Sequence, residues 1–301
     1  MRDAMDVSPT KLLFRDINAL DTDVRAIVRL MHPAFDFTHY ARAFADVVRL
    51  FIGDYPGYRA CNTAYHDLTH TLAVLLATAR LLHGTSVARA PFSARTVCLA
   101  LTAALLHDVG YIQSEEETEG TGARYTLTHV TRSIDFLRGY FACHGRSAQA
   151  AEDAAAMIRC TDLAVPMADI AFATGEVRLA GCVLGSADLL AQMADEIYIE
   201  KLSSLFEEFH EAGIPGYETE LDLFQATHAF NHAMQGRLAG PLEGVAPHML
   251  DHFRTRWGTE RDLYQENINK NLNFLAKSLV ELGPDCKTVF RRRRDRRPPF
   301  I

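Results

Sequence analysis

An all-α fold class follows from three features of the 301-residue sequence. Apolar residues recur at three- and four-residue steps along most of its length. No segment alternates apolar and polar residues as a half-buried strand does. Breakers such as Gly53, Pro56, Gly57 and Pro91 punctuate the periodic stretches. With 48% apolar and 23% charged residues, the chain can build a core over most of its length. No internal repeat or composition shift divides it, so one helical domain is expected over 11–283. It is flanked by a disordered 1–10 and a basic, solvated tail, 284–301.

The elements follow in order. Val24, Ile27, Val28 and Met31, then Phe44, Val47, Val48 and Phe51, give a helical pattern over about 11–52. A long apolar helix is expected over 67–83, stopped by Gly84. Another covers 93–108 through VCLALTAALLHDVG, with Gly110 as its stop. QSEEETEGTGAR, 113–124, reads as a polar loop. Its glutamates at 115, 116, 117 and 119 form a solvated face, or else a lid, or an outer partner of a metal through Glu115 or Glu116. Helices resume over 127–142, 147–160 and 176–210. In the last, Leu189, Leu190, Met193 and Ile197 mark one side and Lys201, Glu207 and Glu208 another. GIPG at 213–216 turns the chain, and helices follow over 217–236, 248–255 and 259–282. The last of these packs on its own chain or on a second copy, which keeps a homodimer open.

Charge and cysteine content narrow the function classes. The net charge is −7, although the segment 291–297 alone carries six arginines and one aspartate. A body that acidic is a poor surface for nucleic acid. No run of about 18 apolar residues is free of charge, so no membrane span is expected. The first residues lack the apolar region of a signal peptide. The six cysteines are at least 17 residues apart and form no CxxC pair, which fits a reducing, cytoplasmic setting.

Three segments carry chemistry. In YHDLTH, 65–70, His66 and His70 are four apart and share a face if helical. In LLHDVG, 105–110, His107 and Asp108 end an apolar helix. In LGSADLLAQMAD, 184–195, Asp188 interrupts an apolar stretch. A buried ionised aspartate needs a strong partner, and a metal ion supplies one.

The order of these segments resembles the HD superfamily of metal-dependent phosphohydrolases, in its cyclic nucleotide phosphodiesterase branch. YHDLTH resembles that branch's YHN…H segment, LLHDVGY its helix-ending HD segment, and MIRCTDLAVP, 157–166, its threonine–aspartate segment. LGSADLLAQMAD resembles the helix carrying the last metal aspartate. The resemblance spans about 60–235. It implies a multi-helix domain with a metal site in a central cleft. His70, His107, Asp108 and Asp188 would bind a first divalent metal, and Asp108 would bridge to a second. His129 would lie near the second metal, with Thr161 and Asp162 ordering water around it. A metal-bound hydroxide would attack a phosphoester while His66 protonates the leaving oxygen. Manganese, magnesium, iron and zinc all suit such ligands.

The chain departs from the pattern in three places. Asp67 stands where those enzymes have asparagine, and YIQSEEETEG follows HD in place of HPG. Gln225 and Phe230 fall where the purine-gripping glutamine and phenylalanine lie, but five residues apart. The double histidine of HD-GYP proteins is missing, which disfavours cyclic di-GMP. The expected substrate is a small phosphoester, a nucleotide phosphodiester first. The alternatives are a nucleotide phosphomonoesterase or pyrophosphohydrolase, a non-catalytic metal-binding sensor, and a di-iron oxygenase. His144, His228, His232, His248 and His252 are expected at surfaces or interfaces.

Overall fold

A computed structural model of the protein describes residues 16–295. The expectations for 1–10, and for the final residues 296–301, fall outside it. Among the described residues the structure is helical throughout, with no strand and one isolated bridge between Tyr58 and Ser114.

The first apolar stretch forms two helices, α1 (Ile17–Met31) and α2 (Thr38–Ile52). Asp16 caps α1 by accepting from the Asn18 N–H, and Gly53 closes α2 in a left-handed conformation. Next come α3 (Leu68–Ala88) and α4 (Ala94–Leu106), started by the side chains of Asp67 and Ser93. Then follow α5 (His129–Cys143), α6 (Ala148–Arg159) and α7 (Gly175–Ala194). The single helix expected over 176–210 is two, because α7 ends at Ala194 and α8 runs from Tyr198 to Glu211. Asp195 sits at the break and pairs with Lys201 at 2.9 Å. The remaining helices are α9 (Glu220–Ala239), α10 (His248–Trp257), α11 (Leu263–Leu282) and α12 (Cys286–Asp295).

The middle of the bundle is α3, α4 and α7. Every residue of α4 from Thr96 to Leu106 is buried, and α3 is buried almost all round. α3 and α7 are long and apolar enough to cross a membrane by length and composition, but 78% of each such stretch is buried inside the fold. Packing on α3, α4 and α7 explains their apolarity. α1 is fastened to this centre by buried charge. Asp23 is 1% exposed, accepts from Arg256 of α10, and lies 3.6 Å from Arg80 of α3. α11 packs on α7 of its own chain and buries Leu263, Tyr264, Ile268 and Leu275.

Two expectations need correction. Residues 286–290 do not belong to a solvated tail, because α12 buries Cys286 and Phe290 completely. Phe290 sits 5.2 Å from Phe224 and 5.5 Å from Phe274 between ring centroids, and Arg291 pairs with Glu220 at 2.8 Å. Two apolar residues four apart made an anchoring stripe that the arginines masked. Gly84 does not stop α3 either. It lies inside the helix where α10 crosses, and a Cβ there would fall 1.8 Å from the His248 carbonyl oxygen. The glycine marks a close helix approach, not a terminus.

Gly84→Ala should therefore destabilise the protein by about 3 kcal/mol through overpacking. Gly236→Ala, in α9 with open space around the added methyl, should stabilise it by about 0.5–1 kcal/mol. Denaturant unfolding of both variants checks this, and equal effects would refute the close-approach reading.

Candidate metal centre

The HD pair stands where α4 ends. His107 is the residue after Leu106, and Asp108 opens a 3-10 turn over Val109–Tyr111. α3 brings His70 from its first turn, α7 brings Asp188 from its middle, and α5 brings His129 as its first residue. His70 Nε2 lies 3.1 Å from Asp188 Oδ1 and 3.4 Å from Asp108 Oδ2. His107 Nε2 lies 3.1 Å from Asp108 Oδ2 and 3.7 Å from Asp188 Oδ1. Asp188 thus approaches both histidines from α7 but stands outside the tightest group. His70, His107 and Asp108 form a buried group that could hold a metal ion.

The histidine tautomers test this fit. His107 Nδ1 is 2.9 Å from the Ala104 carbonyl oxygen. A carbonyl only accepts, so Nδ1 carries the hydrogen and Nε2 presents a lone pair to the centre. His107 Nε2 and Asp108 Oδ2 are both buried without a hydrogen-bond partner among the described residues. Two facing acceptors repel unless a proton or a cation lies between them. A proton on the His107 ring is one way to meet this demand. Burial disfavours the charged His107 ring, but Asp108 and Asp188 outweigh it and raise its pKa to about 9. Burial likewise opposes ionisation of Asp108, yet His107 and the other rings hold its pKa well below the usual carboxylate range. A divalent cation meets the same electrostatic demand, and the donor set fits one.

The other oxygen of Asp108 faces elsewhere. His129 Nε2 lies 3.7 Å from Asp108 Oδ1, while His129 Nδ1 is 2.7 Å from the Thr126 carbonyl. By the same reasoning His129 offers a lone pair, and burial pushes its ring toward the neutral form. Asp108 therefore stands between two donor groups, with His70 and His107 at Oδ2 and His129 at Oδ1, while Asp188 faces the two histidines at Oδ2.

His66 is not on α3. It precedes Asp67, whose carboxylate caps the helix by accepting from the His70 N–H at 2.9 Å. A cap needs an acceptor, which explains an aspartate there. The His66 ring still lies 5.9 Å from that of His70. It stacks on Tyr111 at 4.3 Å, and Tyr111 stacks on His129 at 4.5 Å.

Behind His66 is Glu208, which the sequence pattern placed with Lys201 and Glu207 on the side opposite the apolar residues. It is 4% exposed, accepts from His66 Nδ1 at 2.6 Å and from the Tyr65 N–H at 2.6 Å. Burial lowers the His66 pKa, but the Glu208 hydrogen bond and charge exceed that effect and raise it. Lys201, Ser204 and Glu208 are all buried on α8, and nothing in their spacing separates them from an exposed polar stripe.

The remaining expectations divide. Thr161 and Asp162 line the adjacent cavity but bond locally, Thr161 Oγ1 to the Ile158 carbonyl and Asp162 Oδ1 from the Ala164 N–H. Phe230 lines the cavity. Gln225 is exposed, since five residues on a helix put it on a different face from Phe230. Gln192, one turn beyond Asp188, lines the cavity in its place. His252 is fully buried against His83, Nδ1 to Nδ1 at 3.1 Å, and belongs to the α3–α10 packing.

The acidic loop is a brace. Glu115, Glu116 and Glu119 are exposed, but Glu117 accepts from Arg132 at 2.9 and 3.0 Å and from Tyr125 at 2.7 Å. Arg132 also donates to the carbonyl oxygens of Gly110 and Ile112. Gly110 must be glycine for this, because a Cβ would sit 2.0 Å from the His129 carbonyl oxygen. The loop thus holds the turn after Asp108 against the start of α5.

Comparison with known proteins gives one family. Residues 114–234 match the Npun_R2479-like family. The match takes in His129, Asp188 and Glu208 but neither His70 nor the His107–Asp108 pair. No curated protein and no solved structure matches the chain.

Arg132, with help from Ser114 and Tyr125, lowers the Glu117 pKa from 4.5 to about 2. The stability this supplies should be complete above about pH 4.5 and fade as pH falls toward 2. Glu117→Gln should cost about 1–2 kcal/mol at pH 7, allowing for solvent screening, with the gap to wild type narrowing between pH 4.5 and pH 3. Denaturant unfolding across that range checks it, and a gap independent of pH would contradict the ion pair.

Proposed function

We propose that the protein is a metal-dependent phosphoester hydrolase of the HD type, with a phosphodiester as the favoured substrate. The observation that carries the reading is the two-sided Asp108 carboxylate, set between inward-facing histidine lone pairs and next to a histidine with its own carboxylate partner. Divalent cations bound there would neutralise charge on the ester and make a water acidic enough to attack near neutral pH.

The chain's own residues do the rest. His70 and His107 hold one side of Asp108, Asp188 faces those two histidines, and His129 faces the other side. Glu208 fixes the His66 hydrogen on Nδ1 and favours the protonated ring, so His66 Nε2 can hold a second proton. That proton suits the leaving oxygen, which develops negative charge as its bond to phosphorus breaks. Tyr111 keeps the His66 ring in plane by stacking. An alkyl phosphoester is favoured because its alkoxide leaving group needs this proton, and the preference for a diester comes from the resemblance to the phosphodiesterase branch.

Hydrolysis of a phosphodiester and the matching phosphomonoester with manganese tests the proposal. Asp108→Ala should reduce diester cleavage by at least about 1000-fold, since it removes a ligand shared by both sides. His66→Ala should reduce it by about 100- to 10,000-fold with metal content unchanged. Cleavage of the monoester alone would overturn the diester preference, and unchanged turnover in His66→Ala would overturn the role of His66. No cleavage of either by a metal-loaded protein would overturn the hydrolase reading.

A further inference from the structure

The cavity beside the metal centre has two unlike ends. Its volume is about 320 Å³, enough for a small organic molecule. One end is the His and Asp group. The other is an apolar chamber walled by α8 and α9 through Leu205, Phe209, Leu223 and Phe230, with Ala226 in the same wall. The chamber continues to the surface over two leucines, Leu127 at 74% exposure and Leu163 at 49%. Both line the cavity, and they come from separate segments, before α5 and after α6. Isolated exposed leucines are ordinary, but two on the rim of an apolar chamber form a continuous track.

Charge sharpens the reading. Among the described residues that line this cavity there is no lysine or arginine, while Asp108, Asp162 and Asp188 all face it. Phosphates beyond the one at the metal centre would find carboxylates and neutral hydroxyl or amide donors such as Thr161, Thr227, Tyr217 and Gln192, but none of the guanidinium or ammonium groups that bind them elsewhere.

Resting on the hydrolase reading above, we infer that the substrate is a phosphoester with a single phosphoryl group on an apolar chain or ring, and that nucleoside di- and triphosphates are excluded. The apolar body occupies the chamber under Phe209 and Phe230, and its phosphoryl group points to Asp108. Water adds to phosphorus as the phosphorus–oxygen bond to the leaving group breaks, the leaving oxygen takes a proton from His66, and the proton given up by the attacking water restores His66 through solvent. The products are an alcohol and a phosphomonoester that retains the apolar body, and no oxidant or reductant is consumed.

The test is a series of methyl, butyl and octyl 4-nitrophenyl phosphates with manganese, followed by release of nitrophenol. Each methylene buried in the chamber should raise kcat/KM by about twofold to fourfold. The octyl ester should therefore exceed the methyl ester by at least about 100-fold, and ATP should not be cleaved. Ala226→Phe, which fills the chamber, should lower the octyl-to-methyl ratio. A flat or falling series with good methyl-ester turnover would overturn this inference and leave the hydrolase reading intact. If no ester is cleaved, calorimetry with methyl phosphate and octyl phosphate decides separately. Tighter octyl binding would support the chamber while the hydrolase reading fails, and equal binding would overturn both.

Discussion

Two buried acceptors face each other at the end of α4. His107 Nε2 and Asp108 Oδ2 are 3.1 Å apart, and neither has a hydrogen-bond partner among the described residues. Such a contact is repulsive unless a positive charge lies within it. Asp188 and His70 approach the same point and Asp108 Oδ1 turns toward His129, so the demand for positive charge extends across the centre. The backbone carbonyls of Ala104 and Thr126 fix this arrangement by holding the other nitrogen of each ring. Partners of that kind orient metal-binding histidines and set their tautomers.

The fold places these groups at element ends, where backbone direction changes and side chains project into a common space. His107 ends α4, His129 begins α5, His70 lies in the first turn of α3, and only Asp188 comes from mid-helix. Rigid helices bring the ends close, and smaller devices hold them there. Gly110 lets the turn after Asp108 touch α5, and Arg132 ties that turn to Glu117. Buried charge at Asp23, Arg80 and Arg256 secures α1 around the far side of α3.

Much of this was legible in the sequence, for identifiable reasons. Helical periodicity gave the order of the elements, because apolar stripes repeat at a helix period whatever the tertiary context. Asp108 and Asp188 stood out because ionised groups in apolar runs require partners, and the full set with His70 and His107 followed from the resemblance to the HD superfamily. Glu208 did not stand out. A buried polar stripe and a solvated one have the same spacing, and only the approach of His66 and Tyr65 from 142 and 143 residues away distinguishes them. Glu117 was hidden among neighbouring acids for the same reason. Gly84 was misread because a glycine that admits another helix looks like a glycine that ends one. Phe290 was overlooked because a run of arginines follows it.

A cation filling the place between His107 and Asp108 is what the proposed chemistry requires. The most direct measurement is the binding of manganese to chelator-treated protein, read by calorimetry with proton release recorded in buffers of different ionisation enthalpy. Asp108 and Asp188 favour the protonated His107 ring against the effect of burial, so binding should release protons and raise the thermal midpoint. His107→Ala should abolish both. Wild-type protein that binds no manganese, zinc, iron or magnesium, with an unfolding midpoint indifferent to all four, would contradict the account.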